Sequence, residues 1–280
     1  MRRIARSLER HWTLQRLVRV ALRRGGNRRW DAIAELHGRG TPRTLALVRA
    51  LARSASAHRR VLAIDIAAQL REPASRLARF VAPDYAPEET RELLFAGLAD
   101  PHPAVVAAAV SGFAHRPDAR AVPVIAALRD HADADMRWRV AVALGTCSEE
   151  IAVDALMQLA RDVDTDVRDW ATFGLGTQQD TDGDAVRALL WTNAHDADRD
   201  VRGEALVGLA RRGGARTVAL VLERLDDDCR VYELEAAEEL AAPVLLDRLR
   251  ALRDAATDDH DGYWLLCLAS AITACSRAPA

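Results

Sequence analysis

The residues of this 280-residue chain that could do chemistry fall into four groups: aspartate clusters, histidines, cysteines and paired glycines. Asp162-Val163-Asp164-Thr165-Asp166, Asp180-Thr181-Asp182-Gly183-Asp184 and Asp196-Ala197-Asp198-Arg199-Asp200 each spell D-x-D-x-D, a spacing that could gather oxygen ligands around calcium. A calcium loop of that kind also needs glycine at its sixth position, to turn the backbone, and glutamate at its twelfth, to close the ligand set. The sixth residues here are Val167, Ala185 and Val201, and the twelfth are Phe173, Trp191 and Val207, so all three clusters fail twice. Aspartate ahead of an apolar-periodic run instead caps the free amides of a helix and complements its dipole. His102, His131, His195 and His260 stand singly in expected loops, with no HxxxH or HExxH pair to hold a metal. Cys147, Cys229, Cys267 and Cys275 show no CxxC spacing, and the last two, eight apart on one expected helix, are too far along its axis to bridge. Gly174-Leu175-Gly176 has Gln179 where a dinucleotide loop needs a third glycine, and neither GxxxxGK[ST] nor GxSxG occurs. The expectation is a protein with no catalytic residue, no metal site and no cofactor.

What remains is recognition chemistry, and it sits on a repeat. Ala134 to Gly145, Thr165 to Gly176 and Arg199 to Ala210 align without a gap on the skeleton Asp-apolar-Arg, then small or apolar residues three to four apart, then Leu-Gly/Ala. That period is one apolar stripe on a helix, headed by an aspartate cap, with small residues where helices approach closely. A second apolar segment follows each copy, as in Ile151 to Leu159 and Ala185 to Leu190, so each unit is a helical hairpin. The residues closing the first helices, Leu36, Leu70, Phe113, Leu144, Leu175, Leu209 and Leu240, follow at steps of 34, 43, 31, 31, 34 and 31. The longer step holds Ala82 to Glu89, which reads as a loop before a restarted helix. The fold class expected is all-α: a right-handed α-solenoid, or superhelix, of about seven helical hairpins. Residues 1–25 read as a basic N-terminal capping helix, 26–280 as one solenoid domain, and the last helix as running from about Gly262 to Cys275.

A period in the low thirties with an Asp-x-x-Val-Arg opening resembles the short HEAT-like repeats of phycobilin lyases and of many bacterial scaffold proteins, over about 28–242. The resemblance implies that Asp135 with Arg137, Asp166 with Arg168, and Asp200 with Arg202 form a ladder between repeats. It also implies that the second helix of each pair lines the concave face, where Arg129, Gln158, Arg161, Arg187, Asn193, Glu223 and Arg224 supply the polar groups. HEAT-like deoxyhypusine hydroxylases hold iron through repeated His-Glu pairs, and this sequence contains none. Alkylpurine DNA glycosylases use a similar solenoid with a basic cleft bearing Trp and Asp, and Trp138, Asp169 and Trp170 echo that set.

Three tryptophans in consecutive units, Trp138, Trp170 and Trp191, are candidate contacts, either as a platform for a partner or as covers over the seams between repeats. Trp138 and Trp170 occupy positions that the third copy fills with Gly203 and Glu204. The formal net charge of −2 hides a strong asymmetry. Residues 1–80 carry 19 arginines against 5 acidic residues, a net of +14, and 81–280 carry 20 against 36, a net of −16. Arg16, Arg19 and Arg23 on one face of the first helix, with Arg43, Arg49 and Arg53, are candidate anion-binding groups for nucleic acid, an acidic protein, a membrane surface or the acidic end of a second copy, head to tail. The alternative for them is a solvated face. No run of eighteen apolar residues crosses a membrane, and four unpatterned cysteines suit a reducing cytoplasm. The reading best fitted by these features is a non-enzymatic scaffold or adaptor that holds another protein along its concave face. Nucleic-acid binding and phycobilin-lyase-like chemistry are the alternatives.

Overall fold

The computed structural model describes residues 12–23, 26–73, 81–226, 228–257 and 261–277. The first eleven residues of the expected capping helix, and His260, lie outside them. The described residues hold sixteen α-helices and no strand; a single bridge joins Arg71 to Asp84. Two compact units divide the chain, Met1–Ile125 and Ala126–Ala280.

In the first unit, α1 (Leu14–Ala21) packs on α2 (Asn27–His37), α3 (Pro42–Ala52) on α4 (Ala57–Ala68), and α5 (Pro87–Leu98) on α6 (Pro103–His115), with α2, α4 and α6 forming one row. Proline opens α3, α5 and α6, where its missing amide costs nothing. Thr41 adds a side-chain cap to α3, and Glu88 and Glu89 meet the dipole of α5. In the long step of the repeat the described residues 69–73 and 81–86 are non-helical and a helix restarts at Pro87, inside the stretch Ala82 to Glu89 that reads as a loop with a restarted helix, and the end of α6 secures them. The side chain of Arg116, only 4% exposed, donates to the carbonyls of Ala68 and Leu70 at 2.9 and 2.7 Å and lies 3.2 Å from Asp84. The short α7 (Val122–Ala126) follows.

The second unit alternates first helices α8 (Ala134–Leu144), α10 (Thr165–Phe173), α12 (Arg199–Arg212), α14 (Val231–Leu240) and α16 (Gly262–Arg277) with second helices α9 (Glu150–Leu159), α11 (Asp184–Asn193), α13 (Ala215–Arg224) and α15 (Leu246–Ala255). Each first helix packs directly on the next, from α8 through α16. Small residues permit this. A Cβ at Gly208 of α12 would stand 2.6 Å from the Cα of Gly176, in the π-turn that ends α10, and one at Gly203 would stand 2.1 Å from the ring of Tyr232 on α14. Of the closing residues, Leu36, Leu70, Phe113, Leu144, Leu175 and Leu209 are buried, and Leu240 is half-buried.

Two local expectations are corrected. The capping aspartates stand two residues ahead of those in the repeat skeleton: Asp133, Asp164 and Asp198 accept from first-turn amides, whereas Asp135, Asp166 and Asp200 lie within the first turn itself. The arginines of the ladder reach forward accordingly. Arg137 donates to Asp162 at 2.7 and 2.8 Å, and Arg168 to Asp196 at 3.1 and 3.2 Å, each aspartate lying in the turn before the next first helix. The same guanidinium groups hold the carbonyls of their own preceding turns, His131 and Ala132 for Arg137, Asp162 and Val163 for Arg168. Arg60 repeats the arrangement in the first unit, bridging to Asp100 and to the carbonyls of Ser54 and Ala55.

Candidate interaction site

The first-helix row of the second unit brings together side chains that lie far apart in sequence. Trp138 on α8 and Trp170 on α10 meet edge to face with ring centres 5.6 Å apart, and Phe173 continues the contact from Trp170 at 5.8 Å. All three residues are half-buried. Trp191 is not part of this group: it lies on second helix α11, beside His195, with the guanidinium of Arg216 stacked 3.6 Å from its ring centre.

The same row of helices carries carboxyl groups. Asp169 follows Arg168 on α10, and its Oδ1 is buried without a hydrogen-bond partner. Burial, reinforced by Asp200, Asp198 and Asp166, pushes its carboxyl up to about 6. Glu204 on α12 is pushed up to about 7, first by burial and then by Asp169, although the Tyr232 hydroxyl bonds to it and works in the other direction. The same burial and the neighbouring Glu204 raise the Tyr232 phenol. Along the row, the Tyr263 hydroxyl on α16 donates to Glu235 on α14 at 3.1 Å. Two half-buried carboxyls whose pKa values are raised by burial and by one another's charge are a recurrent mark of a functional surface.

The second helices carry the other expected contacts, and most of these are tied into the fold. Arg187 holds Asp182 and the carbonyls of Arg212 and Gly213, which anchors α11 to the end of α12. Arg224 donates to the carbonyl of Ala194, and Arg161 to that of Met157. Gln158 accepts from Arg129 and donates to Asp130 on the exposed surface. Asn193 is buried, bonding Ala160 and Thr172, and is no surface group at all. The closely packed row is the first helices, where the glycines and alanines of the repeat lie.

In the first unit Arg16, Arg19, Arg23, Arg43, Arg49 and Arg53 are all exposed, on α1 and α3 and at their ends. Arg16 stacks over Trp12 at 4.4 Å. Arg49 and Arg53 line a groove of about 440 Å³ together with Glu88, Glu89 and Glu92 of α5, and Arg49 comes within 4.0 Å of Glu89. Three glutamates in that wall offset the field of the two arginines.

Repeated hairpins, a bonded arginine ladder and a small-residue seam define a HEAT-like helical-repeat protein. A family model described as HEAT repeats matches residues 91–176. The chain is similar to Protein YibA of Escherichia coli strain K12 and of strain O157:H7, each 29% identical over 114 residues, 40% of this chain. That match spans only 40% of the length of those relatives. The X-ray structure of the E. coli YibA protein superposes with a TM-score of 0.69 at 20% identity, covering 98% of this chain and 96% of that one. The crystal structure of an engineered protein gives 0.52 at 16% identity over 94% and 78% of the two chains. At these identities the likeness is one of fold.

Sequence reading singles out Asp135, Asp166 and Asp200 of the first-helix row as ladder members and Asp169 as an echo of another family's cleft, but names Glu204 only as a repeat position. The signal for Glu204 is present in the aligned copies, where the column Trp138, Asp169, Gly203 and the column Arg139, Trp170, Glu204 mix aromatic, charged and small residues at positions that are half-buried except for the buried Gly203.

Proposed function

We propose that this chain is a protein-interaction scaffold without chemistry of its own, working in the cytoplasm, and that its partner lies on the first-helix row of the second unit. The observation that carries the reading is the half-exposed Trp138–Trp170–Phe173 cluster on a row of helices that also bears Asp169 and Glu204. Aromatic anchors beside polar groups on a preformed surface are what interaction hot spots are made of. The carboxyls on that surface repel a phosphate backbone, which argues against the glycosylase-like alternative. Four buried free thiols, with Cys229 pushed up to about 12 chiefly by burial, suit a reducing compartment and offer no reactive thiolate.

The test is capture of the tagged full chain from its own host, with nuclease treatment, and identification of retained proteins. A defined protein held by the wild type and weakened by about 2 kcal/mol or more in the double variant Trp138→Ala, Trp170→Ala is the expected result. Retention of that protein unchanged by the double variant refutes this placement, and capture that vanishes with nuclease refutes the protein-scaffold reading.

A further inference from the structure

The first-helix row of the second unit offers a partner rings and carboxylates together, and the arginines flanking Trp138, Asp169 and Glu204 on those helices are engaged elsewhere. Arg168 and Arg202 turn to the carbonyls of the preceding turns, Arg168 also to Asp196, and Arg139 bonds Asp135 on its own helix. What acts most strongly on Asp169 besides burial is Asp200, Asp198 and Asp166, and on Glu204 it is Asp169, Tyr232 and Glu235. Resting on the scaffold reading above, we propose that this face docks an extended, positively charged protein segment, with an arginine or lysine side chain entering beside Asp169 and Glu204 and lying against Trp170.

Three independent features lead to that occupant. First, Asp169 is half-buried, its Oδ1 has no donor within the fold, and no arginine among the described residues is seen to pair with it. A cation held against the accessible part of that carboxylate offsets its charge and the repulsion between Asp169 and Glu204. Second, indole faces attract guanidinium and ammonium groups. The described residues already show that contact, with Arg16 over Trp12, Arg29 over Trp30 and Arg216 over Trp191, at 4.4, 4.4 and 3.6 Å. Third, residues 81–280 carry a net charge of −16, so the field around this face draws cations in and holds polyanions off. The row of parallel helices repeats the carboxylate-beside-ring arrangement at Glu235 and Tyr263, which suits an extended segment and not a single ion.

Fluorescence anisotropy of the full chain with labelled hexaarginine, and with hexaglutamate as the opposite-charge probe, tests the proposal. Hexaarginine binds and hexaglutamate does not. The isosteric double variant Asp169→Asn, Glu204→Gln weakens hexaarginine about tenfold, as loss of close charge partners does. The control Glu88→Gln, Glu89→Gln, Glu92→Gln removes three carboxylates from the first unit and changes affinity less than about twofold, as remote surface charges do. Wild-type affinity rises from about pH 5.5 to about pH 8, because a bound cation displaces protons from the two carboxyls, and the double variant loses that rise. Absence of hexaarginine binding, equal weakening by both sets of variants, or an unaltered pH profile in the double variant overturns the proposal. The two readings separate cleanly. If the host partner is lost with Trp138→Ala, Trp170→Ala yet kept with Asp169→Asn, Glu204→Gln, the scaffold stands and the cationic segment falls; if both variants keep it, both fall.

Discussion

Asp169 and Glu204 hold protons more tightly in the folded chain, at about 6 and about 7, than an unfolded chain would near pH 4. Across that window the folded state binds more protons than the unfolded one, so stability is greatest on the acid side and declines as pH rises through both values. The two groups are coupled and partly open to solvent, which limits the combined loss between pH 5 and pH 8 to about 2 kcal/mol. Glu204→Gln keeps the shape and removes the charge. Thermal melts at the two pH values should show the variant more stable than wild type at pH 8 and nearly equal at pH 5; a variant as pH-sensitive as wild type would show that Glu204 does not carry the effect. The aspartates of the ladder behave in the opposite way. Burial pushes Asp162 up, but the bonds from Arg137 and the Asp164 amide outweigh it and hold the carboxyl below its ordinary range, so its contribution is lost only in acid.

Among elements, the first-helix row depends on the absence of side chains at its seams. Gly208 and Gly176 let α12 approach the end of α10 so closely that any Cβ meets backbone, which cannot rotate away. Gly208→Ala gains helix propensity but forces the seam apart, and overpacking of this kind costs about 1–3 kcal/mol. Denaturant unfolding should place the midpoint of the variant below that of wild type with an unchanged slope. An unshifted midpoint would mean that the row is looser than its contacts indicate. The displaced seam would also move Trp170 relative to Glu204, linking packing to the docking face.

For the molecule as a whole, charge is the dominant long-range feature, +14 in residues 1–80 and −16 in the remainder. The arginines of the basic part are not equivalent. Arg49 and Arg53 share their groove with three glutamates, whereas Arg16, Arg19 and Arg23 stand exposed on and just beyond α1. Retention on a heparin column should therefore fall more when Arg16, Arg19 and Arg23 are changed to Glu than when Arg43, Arg49 and Arg53 are, and should weaken steeply with salt in the wild type. Equal loss from both triple variants would show that total charge, and not its placement, controls the interaction.

The repeat, the all-helical class, the buried closing residues and the loop before α5 were legible from one sequence, because periodicity and capping are local and are written into neighbouring positions. Which aspartate answers which arginine was not, since Arg137 and Asp162 are 25 residues apart and the skeleton supplies nearer aspartates that fit the pattern equally well. Nor could the sequence alone say that Trp138 and Trp170 meet while Trp191 stays apart, that Asn193 is buried, or that Asp169 and Glu204 share one environment. Those facts depend on which row of helices packs more closely. That was decided by glycine-to-backbone contacts across the seam, a property of the folded stack that no single repeat contains.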